Sequence, residues 1–391
     1  MKLSQLLASS ALVLSCLAIS APSFAQVKNN PDIVMAPLRH SPQQAPRQAR
    51  IQIALLLDTS NSMDGLISQT KSQLWTLVNE LSEGKKYGQE PLIELALYEY
   101  GNSNISVSKG YIRQVLSLTS DLDDVSEKLF ALRTNGGQEY AGQAIMTSLE
   151  ELEWSKNKQD MKLIIIAGNE PFTQGNVSYE TACGRARRDG IIIDTIHCGD
   201  EQTGIKTKWK DGADCAGGIY MTINQDEKSV HIPTPFDDDI LRLNKKLNAT
   251  YFGYGAQGAR YKERQIAQDS NAISMSPSVQ MKRAKMKSSK AYKNENWDVV
   301  DAYKKDDSRI LEMAESELPA ELKGKDKAER KAFIEKTSAE RDVLNTQISE
   351  LSKKQSAFVK DKRKEMSATK TLDNVMVSAV RKQASEHGFA Y

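Results

Sequence analysis

The sequence predicts an α/β fold: a mainly parallel sheet flanked by helices, followed by a C-terminal α-helical appendage. Three observations predict it. Apolar runs of strand length recur between residues 51 and 199, amphipathic stretches separate them, and beyond residue 255 the chain turns charged with helical spacing. A strand apolar on both faces needs cover on both faces, and helices returning between parallel strands supply it.

The elements follow in chain order. Lys2 precedes the apolar "LSQLLASSALVLSCLAIS" and then "APSFAQ", where small residues at Ser23 and Ala25 fit a signal-peptidase site. Residues 1–25 are therefore expected to be a leader cleaved after Ala25, sending the chain to the periplasm or outside the cell. The apolar run is too short for a stable membrane span. "VLSC", ending at Cys16, offers a lipoprotein alternative, but apolar residues continue to Pro22 as in the middle of an ordinary leader. Residues 26–49, rich in Pro, Gln and Arg, read as a flexible linker.

Residues 50–255 carry the sheet domain. Strands are expected at "IQIALLL", "LIELALYEY", "KLIIIAG" and "IIIDTIHCG". Helices are expected at "DGLISQTKSQLWTLVNEL", "DLDDVSEKLFAL", "GQAIMTSLEELEW" and "YETACGRARRDG". Weaker signals place a strand at "GGIYMTI", a helix at "DDDILRLNKKLN" and a last strand at "ATYFGYG". Residues 256–391 form the helical, charged C-terminal region. From residue 281 onward 25 Lys+Arg face 19 Asp+Glu, a net +6 that leaves −4 for the rest of a chain whose total is +2. Apolar residues there fall on helical spacing at Leu344, Ile348, Leu351 and Phe358, then at Leu372, Val375, Met376, Ala379 and Val380. This narrow seam suits docking on the sheet domain or self-association, and Gln355 and Lys362 on it argue against a long independent coiled coil.

Charge and cysteines bound the function. A net charge of +2 with an ordinary 27% charged residues carries no nucleic-acid signature. Without the leader three cysteines remain, Cys183, Cys198 and Cys215, so at most one internal bridge can form. Cys198 ends a predicted strand and Cys215 lies in the segment after it, which makes them the expected pair; small buried thiols are the alternative.

The candidate site lies in "IQIALLLDTSNSMDG". In an open α/β sheet, ligands sit beyond the carboxyl ends of the parallel strands. Asp58 falls at that edge, with Ser60 and Ser62 on the turn and a helix expected to begin near Asp64. A carboxylate and two hydroxyls are hard oxygen donors that suit Mg2+, Mn2+ or Ca2+, and a helix N-terminus adds an electropositive rim. The alternative is a metal-free pocket in which Asp58 accepts hydrogen bonds from Ser60, Ser62 and the helix start.

This D-x-S-x-S element, between an apolar strand and a helix, resembles the metal-ion-dependent adhesion site of the von Willebrand factor A domain. "TNGGQEYAGQAI" resembles that family's glycine-rich second loop and "LIIIAGNEPF" its third. The resemblance spans roughly residues 50 to 255 and implies a Rossmann-like sheet domain that binds a protein partner through the loops around Asp58, Gly137 and Asn169. The family's threonine after paired glycines is absent, since Gly136 and Gly137 precede Gln138 and Glu139. Its aspartate opening the third loop is also absent, with Gly168 and Asn169 in place. Glu139 or Glu170 would then supply an oxygen from a longer arm. Asn61, Asp64, Gly136, Gly137, Gln138, Asn169 and Glu170 are the expected binding-loop residues. Two further stretches, from Phe172 to Trp209 and from His231 to Gly255, resemble a group of exported bacterial A-domain proteins that end in a Lys-rich helical tail.

Other patterns carry less. "GYGAQG" matches the glycine spacing of dinucleotide folds but closes the sheet instead of opening a βαβ unit. Asp237 to Asp239 read as a helix start. His197 has no identifiable nucleophile or base beside it, and no zinc or serine-hydrolase motif occurs, so an enzyme is not expected. "MKRAKMKSSKAYK" reads as a solvated linker, with contact to anionic headgroups or an acidic partner as the alternative. The function expected is thus a binding module of the cell envelope; the alternative is a metal-free scaffold that assembles through its tail.

Overall fold

The computed structural model describes residues 47–224, 231–365 and 372–391, so the expected leader and most of the 26–49 linker lie outside the described residues. The chain runs β1 (Arg50–Asp58), α1 (Asp64–Glu83), β2 (Leu92–Tyr100), β3 (Ile112–Thr119), α2 (Leu122–Ala131), α3 (Ala141–Glu151), β4 (Met161–Gly168), α4 (Tyr179–Arg188) and β5 (Ile192–Cys198). It continues with α5 (Glu201–Lys206), α6 (Trp209–Asp214), β6 (Tyr220–Ile223), α7 (Asp237–Asn248), α8 (Gly258–Met275) and α9 (Pro277–Lys287). Four more helices end it: α10 (Val299–Lys305), α11 (Asp307–Leu311), α12 (Lys327–Glu365) and α13 (Leu372–Glu386).

The six strands lie in the order β3-β2-β1-β4-β5-β6. All neighbours are parallel except β3, which pairs antiparallel with β2 at one edge. β1 is central, and its register sets Leu56 beside Tyr98 of β2 and Ile166 of β4. Its alternate residues serve opposite faces: Ile51, Ile53, Leu55 and Leu57 enter one core, Ala54 and Leu56 the other. That two-sided demand explains an apolar run without polar alternation. One face is covered by α3, α4 and α6, through Ile145, Ala182 and Trp209. The other is covered by α1 and α2 together with residues from α7, α9, α12 and α13, including Ile240, Met281, Ile348 and Val380.

The C-terminal helices therefore share the core of the sheet, and the expected boundary at residue 255 falls inside one compact unit, Pro46–Tyr391. α13 comes back against α1 and β6. Gln383 on it donates to Asp194 Oδ1 at 2.6 Å, and backbone bonds between Lys85 and Ala390 hold the chain end. The seam of α12 is used within the chain: Leu344 and Ile348 are buried, and Gln355 donates to Asp237 Oδ1 at 3.0 Å. Among the described residues no helix is long and apolar enough to cross a membrane.

Four expectations are corrected. "ATYFGYG" forms no sheet strand; Tyr251 and Tyr254 are buried, and Gly253 makes an isolated bridge to Asp298. β3 was not anticipated, because "IRQVLSLT" is a half-exposed edge without a continuous apolar run. The 281–293 stretch is not a solvated linker. Most of it is α9, with Arg283 bonded to Asp123 at 2.8 Å and Lys287 to Asp269 at 2.8 Å, both cations fully buried. The disulfide joins Cys183 to Cys215 and leaves Cys198 free and buried. Helix α4 brings Cys183 across to the end of α6, an approach that sequence adjacency did not reveal.

Candidate functional site

The site forms at the carboxyl edge of β1, next to β4, where the strand order reverses direction, the edge at which open α/β sheets place their ligands. β1 delivers Asp58 there fully buried. Thr59 extends the ladder by donating to Tyr100 O at 2.9 Å, and the chain then turns through a short 3₁₀ segment, Asn61–Met63, into α1. The Ser60 amide donates to Asp58 Oδ1 at 2.8 Å. The hydroxyls of Ser60 and Ser62 are 3.3 Å apart, and Asn169 Nδ2 donates to Ser62 Oγ at 3.2 Å. The Asp58 carboxylate thus lies against the Ser60 amide, and the two hydroxyls face each other.

Glu139 joins them from the loop before α3. Its side chain is buried, the Ser60 side chain opposes the burial that raises its carboxyl, and its amide donates to Gln174 Oε1 at 2.7 Å. Gly101 lets this happen. A Cβ there would lie 2.7 Å from Asp58 Oδ1 and 2.9 Å from Glu139 Cγ, so the two carboxyl groups flank a position that only glycine can hold, at φ +77.

The remaining binding-loop residues surround this centre. Asn61 is exposed beside Gly136, and Gly137 lies against the Gly101 carbonyl. Thr134 Oγ1 donates to Asp64, and the Asn135 amide to Thr59 O at 2.9 Å, tying the second loop to the first. Gln138 is exposed and accepts from the Tyr140 hydroxyl at 3.2 Å. Glu170 is exposed, with its carbonyl accepting from Trp209 Nε1 at 2.8 Å.

Tyr100 explains one departure from the family pattern. A Cβ on Gly168 would sit 2.5 Å from the Tyr100 hydroxyl and 3.1 Å from Asp58 Oδ2. The hydroxyl donates to Ala167 O at 2.9 Å and fills the space an aspartate would need. Tyr100, Gly101 and Gln174 were not singled out from sequence. The signal available was the polar, glycine-containing end of "LIELALYEYG", at the same sheet edge as Asp58.

The electrostatics are unbalanced. Burial pushes the Asp58 carboxyl up to about 7, with the charges of Glu139 and Glu170 adding and the Ser60 amide opposing. Glu139 is raised by burial and then by Glu170. Asp58 Oδ2 and Asn169 Oδ1 are buried without a hydrogen-bond partner. A buried, unsatisfied carboxylate oxygen is costly unless something compensates it. Among the described residues no cluster of three His, Cys, Asp or Glu forms a metal site. The donor set here is instead mixed, with two carboxylates, two hydroxyls and an amide oxygen. His197, by contrast, is buried against the Trp209 ring and held below its ordinary pKa by burial, a packed histidine.

Residues 52–214 match the model of the von Willebrand factor type A domain. No curated protein matches the chain. Among solved structures, BatB from Bacteroides thetaiotaomicron is similar at 16% identity over 44% of this chain and 90% of that one, with a TM-score of 0.34. An aerotolerance-related membrane protein from Bacteroides fragilis is similar at 15% identity over 45% and 93%, with a TM-score of 0.31. Proximal thread matrix protein 1 from the mussel byssus, whose structure has zinc in its adhesion-site motif, is similar at 16% identity over 46% of this chain and 43% of that one, with a TM-score of 0.37.

Proposed function

We propose that the von Willebrand factor type A domain of this chain is an envelope-located protein-binding module that presents a divalent cation at Asp58, Ser60, Ser62 and Glu139. The observation that carries the reading is the buried, unpartnered Asp58 Oδ2, close to a second carboxylate and two converging hydroxyls. Hard oxygen donors of this kind fit Mg2+, Mn2+ or Ca2+, and a cation offsets the burial, and then the mutual repulsion, that raise both acids. Once bound, such an ion supplies an electrophilic point at which a partner's oxygen completes the coordination shell. The chain's own residues do the rest. Asp58 and Glu139 provide charge, Ser60 and Ser62 direct hydroxyls, Asn169 positions Ser62, and Asn61, Gln138 and Glu170 form the exposed rim that meets the partner. The proposed role is recognition without turnover.

The expected leader supports the envelope location, as does the Cys183–Cys215 disulfide, a bond that oxidising compartments preserve. In the 281–293 stretch Arg283 and Lys287 are buried and Lys285 pairs with Glu83, while Lys290 and Lys293 stay exposed. The proposed partner is a protein.

Calorimetric titration of apo protein with Mg2+, Mn2+ and Ca2+ tests the reading. Wild type should give binding heat and a thermal shift with at least one ion, and Asp58→Ala should give neither. Absence of both signals in wild type rejects the metal-bridged module. The second reading, a metal-free scaffold, is favoured by the Tyr100 hydroxyl in the place of the missing aspartate. It requires Asp58→Ala to leave partner capture unchanged.

A further inference from the structure

We propose that the Cys183–Cys215 disulfide is a redox-sensitive brace for the third loop of the site, residues 169–178, and that reducing it releases the loop. Few of its own residues anchor the loop: of the ten only Phe172 is buried. Its first half is held by α6 and the turn before it, and its later part lies against Tyr140 and Gly142 at the start of α3. The Phe172 amide donates to Thr207 O at 2.9 Å, Trp209 Nε1 donates to Glu170 O at 2.8 Å, and the Phe172 and Trp209 rings lie 4.9 Å apart. Phe172 also packs so closely on Gly212 that a Cβ there would lie 2.2 Å from its ring.

α6 has six residues, too few to hold a helix without tertiary support. Its support comes from Trp209, whose carbonyl accepts from Thr195 Oγ1 at 2.7 Å, and from the disulfide that ties its end to α4. Trp209 anchors the start of α6, Ala213 is fully buried with its carbonyl accepting from the Gly218 amide at 2.9 Å, and Cys215 ties the finish to α4; without the bridge the Gly212 end loses that tie to α4. The loop then passes that order to the site through two contacts, Asn169 to Ser62 and Gln174 to the Glu139 amide. This last step rests on the proposed function; the brace itself does not.

The chemistry is disulfide exchange with an external dithiol. Cys215 is the more exposed sulfur and the point of attack, since Cys183 is 1% exposed. A thiolate of the dithiol bonds to Cys215 Sγ, the S–S bond breaks, and Cys183 leaves as a thiolate that takes a proton. The second thiol of the reductant then displaces Cys215. Two electrons and two protons have passed to the protein, and the dithiol has become a disulfide. Cys198 does not intervene, being buried at the end of β5 with its thiol pushed up by burial.

The test compares oxidised protein, protein reduced with a phosphine and freed of it, and a Cys183→Ala/Cys215→Ala variant by hydrogen exchange and Mn2+ titration. Reduction should speed exchange of residues 169–178 about ten-fold while β1 and β4 stay protected, and weaken Mn2+ binding about ten-fold. Unchanged exchange in the loop overturns the brace, as does equal loss of protection in β1 and β4. Faster loop exchange with unchanged Mn2+ affinity overturns the link to the site. If oxidised protein binds no Mn2+, the metal reading fails and loop exchange alone decides the brace. Should the double variant not fold, the reduced wild type supplies the same comparison.

Discussion

Asp58 concentrates the argument at the scale of single residues. It is fully buried, its Oδ2 has no partner, and burial holds its carboxyl near 7. A group whose pKa rises on folding favours the folded state while protonated, and that advantage is lost as pH climbs through the folded value. Without divalent ions, stability should therefore fall between about pH 4 and 7, by on the order of 4 kcal/mol if the whole shift is expressed. Asp58→Asn should flatten the fall, and Mn2+ should restore wild-type stability at pH 7.5. Urea melts of both proteins across this range check it; parallel pH profiles for the two would contradict it. Asp58, Ser60 and Ser62 were legible in the sequence because two-residue spacing on a turn sets side chains to one side. Glu139 was legible only as a possible reach. Its partnership with Asp58 depends on Gly101, whose role is invisible until two loops are seen to close on it.

At the scale of elements, α12 and α13 show how charged helices can belong to a core. α12 seats Arg341 almost fully buried, donating to Asp298 Oδ2 at 2.7 Å, to Asp301 at 2.9 Å and to the Thr250 hydroxyl at 3.1 Å, with its guanidinium over the Tyr251 ring. Removing one partner of a buried pair strands the other charge. Arg341→Ala should cost about 3–5 kcal/mol, measured by chemical denaturation. A loss below about 1 kcal/mol, the range of surface pairs, would mean the pair is effectively solvated. Here the sequence misled for a physical reason. Charged residues normally mark solvent, so α9 resembled a linker, yet Arg283 and Lys287 point inward to Asp123 and Asp269. The central strands were readable because burial on both faces leaves a continuous apolar run. β3 was not, because an edge strand exposed on one side needs no such run. The aromatics of "ATYFGYG" read as strand but pack among helices, with the Phe252 amide donating to Asp298.

At the scale of the whole molecule, the sheet order does the positioning. Reversal between β1 and β4 sets the edge at which three loops meet, and the C-terminal helices cover the opposite part of the fold from α3, α4 and α6. The helical region therefore completes the core on one face of the sheet that carries the loops, while the proposed brace acts on the third loop from the other side. The cysteine pairing could not be read from sequence, since it depends on how α4 packs against α6. The measurement that bears most directly on the central claim is anomalous diffraction from crystals soaked in Mn2+. A single strong peak within coordinating distance of the Ser60 and Ser62 hydroxyls and the Asp58 or Glu139 carboxylate is the predicted result. An absent peak at that position, with the four side chains unchanged, would contradict the account.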